Sequence, residues 1–297
     1  MQKKKIFLTG GNGFIGRNIQ EQLASEYEIF APKSSELDLV DTTAVEQFIK
    51  SNNFDVVIHG ANTGGHRKSP GPDNMAELNL KMFFNLARCN KYFGKMIQLG
   101  SGAEYCKEHY MPRMKEEYFD TYMPSDSYGF YKYVCSKYIK NSENIICLRV
   151  FGCYGKYEDY EVRFISNAIG KSIFNLPITI HNKNVVFSYL YADDLVQIIQ
   201  YFIENNGKYK FYNATPDWTD DLISIAKKMN QVAGKDLEIK VNNPGMGREY
   251  SGDNSRLKTE LPDIKFTTLE SGIKKLYVWY EQNKDSIDKE KLIVDRY

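Results

Sequence analysis

Close to its start the chain passes from an apolar stretch, Ile6-Phe7-Leu8, into Thr9-Gly10-Gly11-Asn12-Gly13-Phe14-Ile15-Gly16, and a helical apolar spacing follows at once. Glycines at 10, 13 and 16 allow a tight turn, a close approach of backbone to an anion, and tight packing of helix on strand. The helix that begins there presents unpaired N–H groups and a partial positive charge, so Gly10, Asn12, Gly13, Phe14, Ile15 and Gly16 become candidate pyrophosphate contacts. With 21 glycines in 297 residues the trio alone says little. Its place between an apolar strand and a helix is what marks a dinucleotide-binding turn.

That turn opens a regular alternation. Short apolar runs at 5–9, 28–31, 55–59, 95–100 and 144–150 are separated by helical patterns near 14–25, 42–53, 73–93 and 126–142. Strands alternating with helices imply right-handed crossovers and a doubly wound parallel sheet of the α/β Rossmann class, with ligands beyond the carboxyl ends of the strands. After Gly155 the pattern turns irregular. Helices are expected near 161–172, 193–206, 219–232 and 268–285, with short strands near 178–182, 188–191, 209–214 and 237–242. This predicts a dinucleotide-binding domain from residues 1–160 and 188–214, and a smaller discontinuous α/β substrate lobe from 161–187 and 215–297.

Thirty-nine basic against 38 acidic residues leave a net charge of +1, without the basic excess that nucleic acid or an anionic membrane would reward. No apolar run approaches the roughly 20 residues of a membrane span, and the run at 6–8 is too short for a signal segment. The five cysteines form no C-x-x-C pair, so neither a disulfide framework nor a metal site is expected, and the thiols read as those of a cytoplasmic protein.

Two further segments speak to chemistry. After the second strand comes Ala31-Pro32-Lys33-Ser34-Ser35, with no acid before Glu36 to hold a ribose 2′-OH. Lys33 and Ser34 suit a 2′-phosphate, which favours NADP(H) over NAD(H). Tyr128 and Lys132 share a helix face at i,i+4. The same spacing recurs at Tyr133/Lys137 and Tyr280/Lys284. Only Tyr128 follows Pro124-Ser125-Asp126-Ser127, opening the helix after the strand that ends in Leu99-Gly100-Ser101.

Taken together, Thr9-Gly-x-x-Gly-x-x-Gly16, Val57-Ile58-His59-Gly60-Ala61, Asn79, Ser101, Tyr128-x-x-x-Lys132, Arg149-x-Phe151, Tyr154-Gly155 and Asp193-Asp194 resemble the extended branch of the short-chain dehydrogenase/reductases. Glu36-Leu37-Asp38-Leu39-x-Asp41 is similar to the pattern of its GDP-fucose synthase-like nucleotide-sugar 4-ketoreductases. The resemblance implies Ser101, Tyr128 and Lys132 as catalytic residues, with Asn79 as a supporting relay. It adds Asp38, Leu39 and Ala61 to the cofactor contacts, alongside Tyr128 and Lys132. His59 and Asp193 also match, and each has a structural reading as a satisfied core group or a helix cap.

The chain departs from the family pattern within Ser101-Gly102-Ala103-Glu104-Tyr105. Resembling dehydratases carry acid–base carboxylates at the positions of Gly102 and Ala103, and GDP-fucose synthase carries a cysteine at that of Ala103. Its histidine acid falls near Arg163. Simple carbonyl reduction is therefore expected, and the resemblance implies a nucleotide-linked 4-keto-6-deoxy sugar as the substrate, with Ser101, Ala103, Arg163 and Arg248 facing it. Glu104, Cys106 and His109 are the groups that could replace the missing acid or base. Phe187 stands where the family usually has arginine. The segment 62–68 follows a strand end and reads as a substrate cover or a solvated loop. An epimerase and a non-catalytic dinucleotide sensor are the alternatives, and a homodimer through helices near 73–93 and 126–142 is a family-level expectation.

Overall fold

A computed structural model describes residues 3–64 and 71–294. Its strands are β1 Lys5–Thr9, β2 Glu28–Phe30, β3 Val56–His59, β4 Lys95–Ser101, β5 Ile145–Val150, β6 Gly152–Tyr154, β7 Ile178–Ile180, β8 Val186–Phe187, β9 Tyr189–Tyr191, β10 Phe211–Ala214, β11 Asp220–Asp221 and β12 Ile239–Val241. The helices are α1 Phe14–Leu23, α2 Thr42–Asn52, α3 Met75–Ala87, α4 Ser127–Ile139, α5 Phe164–Ile173, α6 Ala192–Glu204, α7 Leu222–Ala233, α8 Ser255–Glu260, α9 Leu269–Gln282 and α10 Lys289–Ile293.

Six strands form one parallel sheet in the order β2-β1-β3-β4-β5-β10. Period-two alternation explains why each central strand reads as continuously apolar. Ile6, Leu8, Val56, Ile58, Ile97 and Leu99 enter a core with α1 and α6 residues such as Ile19, Leu195 and Phe202. Phe7, Val57, Met96 and Cys147 enter the opposite core with Val45, Phe83 and Tyr131 from α2, α3 and α4. The sheet is thus covered on both faces, as the sequence predicts. The strand order reverses at β1, with β2 on one side and β3 on the other, and the crevice beyond that switch point is where such sheets bind ligands.

A third core joins α5, α7, α9 and α10 through Ile169, Ile225, Ile273 and Leu292, with β7 and β12 paired beside it. Leu257, with Leu261, Ile264 and Phe266, packs instead into the first core, so the segment around α8 sits on the sheet although sequence grouped it with the substrate lobe. The helix expected over 73–93 stops at Ala87, and Asn90–Tyr92 forms a separate 3₁₀ turn whose Asn90 carbonyl accepts from Asn144 Nδ2. The strand expected at 188–191 is β9, and a further short strand, β8, precedes it and pairs with a different partner. Among the described residues no helix is long and apolar enough to cross a membrane.

Candidate active site

At the end of β1, Gly10 adopts φ +74°, and a Cβ there would lie 2.8 Å from the Ala61 nitrogen. At Gly16 a Cβ would stand 2.2 Å from the Gly10 carbonyl oxygen, so only glycine lets α1 sit this close to the turn. Gln20 Nε2 donates to the Gly11 carbonyl at 2.7 Å and holds the loop from the helix side. Gly13 is the N-cap of α1, with no side-chain capping bond and no acid in the first turn. The N–H groups at Phe14, Ile15 and Gly16 meet no competing carboxylate, which fits a dinucleotide pyrophosphate.

Beyond β2, Lys33, Ser34 and Asp38 are exposed and Leu39 is half-buried. The Lys33 N–H donates to Glu36 Oε2 at 2.7 Å, so this acid is folded onto its own turn. Asp38 Oδ1 accepts from Val40 N, and Asp41 caps α2 by accepting from Thr43 N and Ala44 N. The Ala61 N–H donates to Thr9 Oγ1, which also meets His59 Nδ1 at 2.7 Å. His59 is buried, and desolvation, with a smaller push from the Lys132 charge, lowers its pKa to about 3. It is therefore neutral, and it joins the ends of β1 and β3 as a core group.

Tyr128 and Lys132 lie in the first half of α4, whose N-cap Asp126 accepts from Gly129 N at 3.0 Å. A Cβ at Gly129 would fall 2.8 Å from the Ala103 carbonyl, so this glycine lets α4 press against the turn that follows β4. Lys132 is 7% exposed and donates to the Leu99 carbonyl at 2.5 Å. Its Nζ is 6.0 Å from the centroid of the half-buried Tyr128 ring. Two of its three ammonium hydrogens are left for a ligand. Ser101 begins a 3₁₀ turn, Gly102–Tyr105, and its Oγ accepts from Ala103 N at 3.1 Å. β4 and α4 thus bring Ser101, Ala103, Tyr128 and Lys132 to one end of the sheet, beside the glycine turn.

Glu104 is spent on structure. It accepts from Ser101 N, Ser136 Oγ and Arg149 Nε. Cys106 is buried, with its thiol donating to Glu108 Oε2 at 3.0 Å, and His109 stacks on Tyr122 at the surface. Asn79 has its amide committed: Oδ1 accepts from Thr63 N, and Nδ2 donates to the Thr63 and Met75 carbonyls. It therefore clamps the loop after β3. Asp193 lies inside the first turn of α6 and accepts from Gln22 Nε2, whereas the N-cap is Tyr191. Arg163 is the exposed N-cap of α5, and Arg248 is exposed. Residues 65–70 lie outside the described ones, and with them most of the cover suggested over 62–68. Among the described residues no three His, Cys, Asp or Glu side chains gather as a metal site.

Sequence reasoning missed Tyr250 and Tyr110. Tyr250 brings its hydroxyl over the turn after β4, where a Cβ at Gly102 would lie 2.7 Å from the phenol oxygen. The Tyr110 ring packs against it at a tilt of 44°, with ring centroids 5.0 Å apart. Neither stands in a spacing that marks it, because the fold brings them in from separate loops.

Residues 6–215 match the model of the NAD dependent epimerase/dehydratase family. A GDP-L-colitose synthase of Yersinia pseudotuberculosis is 26% identical over 310 residues, covering 95% of this chain and all of the relative. In three dimensions the chain is similar to a GDP-mannoheptose C4 reductase of Campylobacter jejuni with NADP bound (TM-score 0.78, 22% identity, 95% of this chain and 99% of that one). A GDP-L-fucose synthetase of Naegleria fowleri bound to NADP gives a TM-score of 0.83 at 15% identity, with 97% of each chain covered.

Proposed function

Since this chain belongs to the NAD dependent epimerase/dehydratase family, whose members are nucleotide-sugar oxidoreductases and epimerases, we propose that it is an NADP(H)-dependent reductase. Its substrate would be a nucleotide-linked 4-keto-6-deoxy sugar, and the product an activated deoxysugar. The observation that carries this reading is a pairing at the end of β4. A partly exposed phenol, Tyr128, stands beside a buried ammonium, Lys132, while the neighbouring positions Gly102 and Ala103 offer no group that moves a proton.

NADPH, when bound at the glycine turn, supplies hydride to the carbonyl carbon. The chain's own residues handle the oxygen. Ser101 accepts from Ala103 N through one lone pair and keeps its own hydrogen to donate to the carbonyl oxygen. Tyr128 gives its phenolic proton to the alkoxide as that charge develops. The Lys132 ammonium favours the phenolate that remains, because a nearby positive charge stabilises an anion in a partly desolvated site. The Leu99 carbonyl fixes that ammonium in place.

NADP(H) is favoured over NAD(H) because Lys33 and Ser34 are exposed beyond β2 while Glu36 is held by Lys33 N. Arg163 and Arg248, both exposed on the second lobe, suit the diphosphate of the nucleotide. The relatives' names make a GDP-linked sugar the first to try. The test is incubation with NADPH and 4-keto-6-deoxy sugars on GDP, dTDP, CDP and UDP, following loss of reduced nicotinamide and the product by mass spectrometry. A gain of two hydrogens matched by NADPH oxidation is expected. Conversion of sugar with no net oxidation of NADPH would instead identify a redox-neutral epimerase.

A further inference from the structure

Tyr110, Tyr250, Phe187 and Tyr189 form a row of half-buried rings beside the turn that follows β4. Main-chain bonds explain the row. Tyr250 N donates to the Val186 carbonyl at 2.8 Å, and Ser188 N donates to the Tyr250 carbonyl at 3.2 Å, which lays Tyr250 alongside Phe187. Phe187 and Tyr189 stand two apart, with the buried Ser188 between them. Their rings stack at 5.1 Å by centroid, Phe187 meets Tyr250 edge-on at 5.7 Å, and Tyr110 lies 5.0 Å from Tyr250. Buried rings back the row, with Phe151 5.0 Å from Tyr250 and Tyr154 6.3 Å from Tyr189.

The row lies on the strand ends. A Cβ at Gly102 would fall 2.7 Å from the Tyr250 oxygen, and one at Gly152 would fall 2.7 Å from Tyr189 Cδ1. Bare backbone after β4 and β5 thus admits the rings, and they cover the carboxyl ends where a parallel sheet takes its ligand. Burial raises the pKa of Tyr110 and Tyr250, so both phenols keep their protons at neutral pH. None of the four side chains carries a charge. Aromatic faces cover C–H groups well and leave a hydroxyl without a partner.

We propose that Phe187, with Tyr110 and Tyr250 beside it, is a specificity wall for a deoxygenated flank of the sugar, so that a 6-deoxyhexose is preferred to the hexose that keeps its O6. The inference rests on the reductase reading for the direction of the substrate, which puts the carbonyl at Ser101 and the diphosphate at Arg248. Arg248 precedes Tyr250 by two residues, so a sugar joining those two points crosses these rings. A hydroxyl pressed against Phe187 loses its water and gains nothing, because that side chain has no polar atom. A methyl group in the same place gains burial.

Nucleotide sugars that differ by one oxygen measure the preference. The probes are GDP-6-deoxy-D-mannose against GDP-D-mannose, and the matching glucose pairs on dTDP, CDP and UDP, titrated with NADP present. In the pair that binds, the 6-deoxy member is expected to bind about tenfold more tightly. Equal affinities, or no binding of any pair, would overturn the proposal. Phe187→Gln sets an amide where the ring stood. It should bring the ratio close to one and leave the affinity for the bare nucleoside diphosphate unchanged. Tyr110→Gln, on a separate loop, should also lower the ratio, and it carries the test if Phe187→Gln does not fold. A ratio unmoved in the folded variants would overturn the wall. Reduction of a keto-sugar with a ratio near one removes the wall and keeps the reductase reading. A tenfold ratio that a folded variant abolishes, without any oxidation of NADPH, keeps the wall and removes that reading.

Discussion

Arg149 Nε donates to Glu104 Oε2 at 2.7 Å, and neither side chain has more than 1% of its surface exposed. Register explains the meeting, since Gly100 of β4 pairs with Arg149 of β5. A Cβ at Gly100 would collide with Glu104 Oε1 at 2.5 Å, so the glycine makes room for the carboxylate. Arg149 also donates to Tyr105 Oη, which in turn donates to Asn213 Oδ1, tying the turn to β10. Glu104→Ala should therefore destabilise the fold by roughly 3–5 kcal/mol, because it leaves a buried guanidinium without its counter-charge. Replacing both partners, as in Glu104→Leu with Arg149→Met, should cost much less. Urea unfolding of the variants checks this, and a Glu104→Ala protein as stable as wild type would show that the pair holds nothing.

This pair also marks where sequence reading stops. The glycine turn and the Tyr128/Lys132 face were legible because each is a local pattern: a strand, three glycines and a helix start, or two residues one helical turn apart. The sheet was legible because residues such as Ile6, Phe7 and Leu8 are apolar on both faces. Glu104 was not, since its partner is 45 residues away and only strand pairing brings them together. The Asn79 clamp was not legible either, since Thr63 lies 16 residues away on the loop after β3. Tyr250 had no local signature at all, and its place follows from the crossing of two lobes.

The turn after β2 yields a selectivity prediction. Lys33 is exposed, and its backbone N–H engages Glu36, which keeps that carboxylate turned toward its own loop. Lys33→Ala should lower kcat/KM with NADPH roughly tenfold while leaving NADH use nearly unchanged, since only the former carries a 2′-phosphate to pair with an ammonium. Parallel steady-state kinetics with the two cofactors measure it. Equal losses with both would move phosphate recognition elsewhere.

Glu158 adds a pH dependence to stability. Burial raises its pKa from 4.5 to about 7, against the opposing hydrogen bond from Ser166 and the Arg163 charge. The folded state thus holds this proton more tightly than the unfolded chain does. The resulting stability is complete below about pH 4.5 and is lost as pH rises toward 7. The loss is on the order of 3 kcal/mol by linkage. Glu158→Gln should remove that decline, and unfolding midpoints across the window compare the two proteins. An unchanged slope in the variant would show that Glu158 is not the group responsible.

Tyr128 carries the strongest catalytic prediction. Tyr128→Phe keeps the ring beside Lys132 and deletes only the proton that the alkoxide needs. Turnover should fall by roughly 10²-fold or more, with NADPH binding almost intact. Fluorescence titration of the cofactor separates the two effects. Turnover close to wild type would remove Tyr128 from the chemistry.

The absence of a proton-moving side chain at positions 102 and 103 has a consequence that isotopes can read. Epimerisation beside a ketone requires a base within hydrogen-bond reach of the carbon acid. Here Ala103 presents a methyl group, Gly102 admits no side chain under Tyr250 and Phe151, and Glu104 is locked to Arg149. Cys106 is bonded to Glu108, and burial raises its thiol pKa, which works against a thiolate. A guanidinium such as that of Arg163 is poorly suited to removing a proton. With the reaction run in deuterated water, NADPH should therefore deliver ordinary hydrogen to C4, and C3 and C5 should keep their original protons. Proton NMR of the product distinguishes the positions, with enzyme-free keto-sugar as the control for spontaneous exchange. Enzyme-dependent deuterium at C3 or C5 would sink the simple-reductase reading, and Cys106 and His109 would then be the first side chains to replace.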